Sequence, residues 1–157
     1  MKGKGRKFLK IFFFLYIGLI INFIVFKFWG NIDDLFNTIQ LNYDRVESGT
    51  TTLINLIPFR TIMLDIQYNL KHVILNIIVF IPIGFLLPIV FPARKKFLKS
   101  LIIFLIMIIG IELIQRISYL GIFDIDDIFL NIIGCLIGYA SFLVFDLVVI
   151  RERNNQY

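Results

Sequence analysis

The feature that most constrains this chain is a set of long, nearly unbroken apolar runs. The stretch from Lys71 to Phe91, KHVILNIIVFIPIGFLLPIVF, is the clearest. A helix needs about 20 mostly apolar residues to cross a bilayer. Four segments meet that length, roughly 8–29, 71–91, 98–117 and 128–150. Of the 157 residues, 59% are hydrophobic and 17% charged. Soluble domains carry about 25% charged residues, and no water-soluble core of this length could absorb the excess. The reading is an all-α integral membrane protein, a four-transmembrane-helix bundle forming a single domain over residues 1–157. The lipid bilayer is its first partner.

Positive charge marks topology. The net charge of +5 is gathered at helix ends, which argues for the positive-inside pattern and against a nucleic-acid partner. Lys2, Lys4, Arg6, Lys7 and Lys10 precede the first span. Arg94, Lys95, Lys96 and Lys99 separate the second and third, and Arg151 and Arg153 follow the fourth. Four spans put these three clusters on one side, and the positive-inside rule makes that side the cytoplasm, so both termini are expected to be cytoplasmic. The protein is then a multi-pass protein of the cell membrane, with a long first extracytoplasmic loop at about 30–70. The basic amino terminus could begin a signal peptide, but the long apolar run and KFWGNIDD, which offers no small-residue cleavage site, favour a retained span.

Within that loop, Ile32, Leu35, Phe36 and Ile39 follow helical spacing and predict a short surface helix. The stretch GTTTLINLIPFRTI reads as extended chain broken at Pro58.

Polar residues recur at one depth. Helical rise puts Asn76 about 7 Å into the second span and Glu112 about 7 Å short of the exterior end of the third. Asn131 lies roughly one turn into the fourth. His72 and Asn76 share a face, as do Glu112, Gln115 and Arg116. Asp127, Asn131, Gly134 and Gly138 form one stripe, whose glycines allow close helix approach. Polar groups facing lipid are costly, so these should turn inward. The expectation is a polar cavity open to the outside, walled by the last three spans.

Each residue also has a plainer reading. Glu112 and Arg116 are spaced for an ion pair. Asn76 and Asn131 suit helix-to-helix hydrogen bonds. Asp126 suits a cap on the fourth span, and His72, beside Lys71, a surface position. Cys135, the single cysteine, suits packing and excludes an intrachain disulfide. One histidine and one cysteine argue against zinc. No HExxH, GxSxG or phosphate loop is present, so no cofactor or metal is expected and no reaction is named.

Four blocks, NLIPFRTI at 55–62, NIIVFIPIGFLLP at 76–88, IELIQ at 111–115 and FDIDDIFLNIIGCLIGY at 123–139, resemble the VanZ-like membrane protein family. That family is named for a teicoplanin (glycopeptide) resistance determinant. Carried over by position, its polar signature falls on Asn76, Pro82, Gly84, Glu112, Gln115, Asp124, Asp127, Asn131, Gly134 and Gly138. Many relatives have an arginine shortly before the aspartates, where this sequence has LGIFD; Arg116 is the cation that could replace it. The resemblance implies a small multi-span protein able to lower susceptibility to teicoplanin-type glycopeptides. Binding residues are then Asn76, Glu112, Gln115, Arg116, Asp124, Asp127 and Asn131, and the partner a cell-wall lipid intermediate or the glycopeptide itself. Read as an enzyme of envelope lipids instead, the chain would use Glu112 and Asp127 as its acid and base.

Overall fold

The computed structural model describes residues 3–22, 32–91 and 96–154. Its elements run α1 (Gly3–Ile20), α2 (Ile32–Glu47), β1 (Ile54–Asn55), α3 (Arg60–Tyr68), α4 (Leu70–Val90), α5 (Phe97–Ile117), β2 (Phe123–Asp124) and α6 (Ile125–Asn154). Among the described residues, three helices are long and apolar enough to cross a membrane: Leu70–Val90, Phe97–Ile117 and Ile125–Val148. α1 carries the basic start of the expected first span, and 23–29 of that span lie outside the described residues.

Most of the helix-to-helix packing joins α4 to α6. Side chains are absent where the two backbones meet. A Cβ on Gly134 would strike the Ile77 carbonyl, one on Gly138 the Ile81 carbonyl, and one on Gly84 the backbone of Cys135. The glycine stripe thus sets the separation of the pair, as small residues do where membrane helices cross closely. Phe80, Ile83, Phe104, Ile108, Cys135 and Phe142 fill the shared core. Cys135, buried and unpaired, packs as its apolar surroundings suggest.

α1 lies along α4. The Tyr16 hydroxyl donates to the Val79 carbonyl at 2.9 Å, one turn before Pro82, whose missing N–H interrupts the helix ladder. The outer surfaces of α5 and α6 expose Ile102, Ile106, Leu113, Ile133, Ile137 and Val144. Such faces suit hydrocarbon rather than water.

The chain between α1 and α4 is ordered at one end of this bundle. α2 forms where the apolar spacing predicts and continues to Glu47. Leu35 and Ile39 pack on the core, while Ile32 and Phe36 remain exposed. Asn42 donates to the Tyr119 carbonyl at 2.7 Å, and the Tyr43 and Tyr119 rings meet edge to face at 5.5 Å.

The stretch read as extended contains only two strand residues. β1 pairs in parallel with β2, with Ile54 opposite Phe123 and Asn55 opposite Asp124. After Pro58 the chain turns through Phe59, whose φ of 64° is left-handed. It then enters α3, a helix the local sequence does not announce. Asn69 alone separates α3 from α4.

Candidate functional site

Parallel pairing of β1 with β2 sets Asn55 beside Asp124, immediately before α6. Asp124 is the N-cap of that helix: its Oδ1 accepts the Asp126 N–H at 2.9 Å, satisfying one of the free donors of the first turn. Its Oδ2 accepts from Asn55 Nδ2 at 3.0 Å and Thr61 Oγ1 at 2.6 Å. The cap expected of Asp126 therefore belongs to Asp124. Asp126, fully buried, turns to a different helix. Its Oδ1 accepts the Phe59 N–H at 2.7 Å, and its Oδ2 those of Thr61 at 2.8 Å and Ile62 at 3.2 Å. Three backbone donors and the positive end of α3 stabilise this carboxylate, which has no lysine or arginine within 4.0 Å among the described residues. They also hold Phe59 in its strained turn, where its ring stacks on Phe129 at 6.1 Å.

Asp127, the third carboxylate, faces α4. Asn76 Nδ2 donates to its Oδ1 at 2.7 Å, so the α4–α6 contact foreseen from the Asn76 and Asp127 positions is formed. His72, one turn earlier on α4, extends the network. Its Nδ1 lies 2.6 Å from Asp65 Oδ2 of α3, and its Nε2 lies 4.0 Å from Asp127 Oδ1. A carboxylate against Nδ1 places a ring proton there, and in the neutral ring Nε2 is then an acceptor. The His72 side chain is 39% exposed, so the network opens outward rather than lying sealed. Histidine at this position is more than a surface residue.

Below this network the polar side chains are buried. Glu112 is 1% exposed; its Oε2 receives the Asp124 N–H at a long 3.4 Å, with Asp127 and Asp124 as its electrostatic neighbours. Asn131, also 1% exposed, has a side-chain oxygen with no partner among the described residues.

Gln115 is nearly buried against Gly121, and its carbonyl receives the Leu120 and Gly121 N–H groups, both at 3.1 Å. It shapes the turn from α5 to β2.

Arg116 does not join the cluster. The ion pair its spacing to Glu112 allows is not formed, because Glu112 points into the bundle and Arg116 outward. The guanidinium lines a separate pocket of about 470 Å³ with Thr51, Thr52, Ile54 and Tyr119. Strand alternation explains the division: Ile54 faces this pocket, and its neighbour Asn55 faces Asp124.

Asn55, Thr61 and Asp65 escaped the sequence reading. Asn55 and Thr61 stand within NLIPFRTI, a block already singled out. Asp65 carries no local signal, since its partner His72 is reached only through the joint at Asn69. No cluster of histidine, cysteine and carboxylates able to hold a metal is present among the described residues.

No solved structure matches the chain. It is 32% identical over 124 residues to Protein VanZ of Enterococcus faecium, an alignment covering 79% of this chain and 66% of that protein. The chain thus matches just under two thirds of its relative's length. The VanZ/LLP1 family matches residues 13–146, which include α4, α5 and the site-bearing turns of α6. The chain belongs to the VanZ/LLP1 family.

Proposed function

We propose that this protein is a multi-pass component of the cell membrane that lowers susceptibility to teicoplanin-type glycopeptides. It does so by binding an envelope lipid intermediate, or the amphiphilic antibiotic, at an outward-facing polar site. One observation carries the reading: Asn76, Glu112, Asp127 and Asn131 lie on three apolar helices and gather at one end of the bundle. Ionisable groups at such positions are functional candidates by default. Asp124, Gln115 and Asp126 hold the surrounding turns, and Arg116 lines a neighbouring pocket on the same side. The basic clusters at the opposite helix ends support four spans with both termini cytoplasmic. That topology puts the β1–α3 segment and the site outside.

The test is teicoplanin and vancomycin susceptibility in a sensitive Gram-positive host, with membrane protein quantified in parallel. Selective teicoplanin protection by wild type, absent in Glu112→Gln and Asp127→Asn proteins that accumulate normally, supports the reading. Well-expressed wild type without protection overturns it.

A second reading is an enzyme acting on an envelope lipid. It is favoured by the Asp65–His72 pair, an aspartate orienting an imidazole whose other nitrogen faces a carboxylate, as acid–base sites require. Glu112 and Asp127 would then divide acid and base roles. A lipid-linked species that changes with wild type and not with Glu112→Gln would establish turnover, whereas identical lipid profiles would remove this reading.

A further inference from the structure

We infer that the opening between His72 and Asp127 is a binding site for a primary ammonium group. This deepens the binding reading of the same site by naming the chemistry of what it holds.

The argument begins with a mismatch. Asp65 takes the proton side of the imidazole at 2.6 Å, so in the neutral ring Nε2 presents a lone pair. Across from it, at 4.0 Å, lies Asp127 Oδ1. Two acceptors at that distance cannot bond to each other. A single donor atom placed between them can reach both at normal hydrogen-bond length. Asn76 Nδ2 gives one N–H to Asp127 at 2.7 Å; its other N–H reaches Nε2 only at 3.5 Å, too long for a strong bond, so Nε2 keeps capacity for a closer donor.

The surplus of acceptors continues inward. Asn131 stands one turn deeper on the α6 stripe that carries Asp127, so the two share a face. Its side-chain oxygen is buried without a partner, and an orphaned buried acceptor costs about 1–3 kcal/mol. Glu112 adds a third carboxylate near Asp127. Among the described residues, no lysine or arginine comes within 4.0 Å of Asp65, Glu112 or Asp127. Around the opening, acceptors outnumber donors: Asp65, Asp127 and the Asn131 oxygen face only the Asn76 amide and the imidazole. A ligand that corrects both deficits is cationic and carries several N–H groups. A primary ammonium supplies three donors on one atom, whereas a quaternary ammonium supplies charge and no donor.

The exposure of His72 and its place in the first turn of α4 make the site reachable from the polar edge of the bilayer. Such an ammonium could come from an amine-bearing lipid head group or from a soluble amine.

The protein reports on this site itself, because His72 is its single histidine. Full-length protein, labelled with ¹⁵N-histidine, would be placed in phosphatidylcholine nanodiscs and titrated with methylammonium or tetramethylammonium chloride. A parallel sample would use nanodiscs containing phosphatidylethanolamine. The expected result is a saturable Nε2 shift with methylammonium, with phosphatidylethanolamine, or with both. No matching shift should appear with tetramethylammonium or phosphatidylcholine alone. A shift with only one of the two amines supports the site and identifies its source. Asp127→Asn should weaken the response about tenfold or more, while Asp127→Glu and the exposed control Asp34→Asn retain it. No shift with any amine, an equal shift with tetramethylammonium, or an undiminished shift in Asp127→Asn overturns the inference. Ammonium occupancy is read here without antibiotic. A protein that binds methylammonium yet gives no teicoplanin protection refutes the proposed function alone, and the reverse refutes the ammonium site alone.

Discussion

The carboxylate of Asp126 accepts the backbone N–H of Thr61 at 2.8 Å across 65 residues of sequence. With the Phe59 and Ile62 bonds, this contact fixes a short helix that has no side-chain cap of its own.

Removing that carboxylate should release α3. Asp126→Ala leaves three N–H groups without their acceptor, and each unsatisfied buried donor costs about 1–3 kcal/mol. Thermal unfolding in detergent should occur at lower temperature. Hydrogen exchange at Phe59, Thr61 and Ile62 should accelerate more than exchange in α5. Unchanged protection at these three amides would show that the cap is not what holds α3.

The glycines at the α4–α6 contact should tolerate no side chain. Gly138→Ala drives a methyl group into the Ile81 carbonyl, and overpacking of this kind costs typically about 1–3 kcal/mol. Gly110, on α5, has no neighbour within 4 Å of the place a methyl group would occupy. Gly110→Ala should therefore be neutral or stabilising by up to about 1 kcal/mol through helix propensity. Equal effects of the two substitutions on thermal stability would contradict the close contact.

Glu112 and Arg116 should act independently. They form no ion pair, so a double-mutant cycle with Glu112→Gln and Arg116→Gln should give a coupling below about 0.5 kcal/mol in stability. A larger coupling would restore the i,i+4 pair that their spacing suggests.

Asn76 should matter through Asp127. Asn76→Leu removes the 2.7 Å donor, and the loss of a hydrogen bond to a charged group costs about 1.5–3 kcal/mol. Asn76→Leu and Asp127→Leu combined should be less harmful than the sum of the single changes, because the second removes the group the first leaves unpaired. Additive loss of thermal stability would count against the pair.

Periodicity and apolar length made the three spans and the inward stripe of Asp127, Asn131, Gly134 and Gly138 legible, because helical geometry is local. The convergence of Asn76 with Asp127 was legible for the same reason: each sits near an end of its own helix. α3 was not. Its nine residues follow Pro58 and gain their cap from Asp126, and nothing within 60–68 encodes that partner. Asp65 was hidden likewise, since its value depends on a one-residue joint folding α3 back towards His72. The Glu112–Arg116 spacing was legible but misleading. Neighbours on a helix face still diverge when one is drawn into the core and the other stays at the rim.

The long reach of Asp126 also bears on the order of biosynthesis. Phe59 leaves the ribosome 67 residues before its acceptor exists. At 5–20 residues per second that is a delay of roughly 3–13 s. During this interval the NLIPFRTI segment has neither its strand partner nor its cap. The wall of the site is therefore completed last, and a nascent chain halted before residue 123 would carry α4 and α5 without a finished pocket.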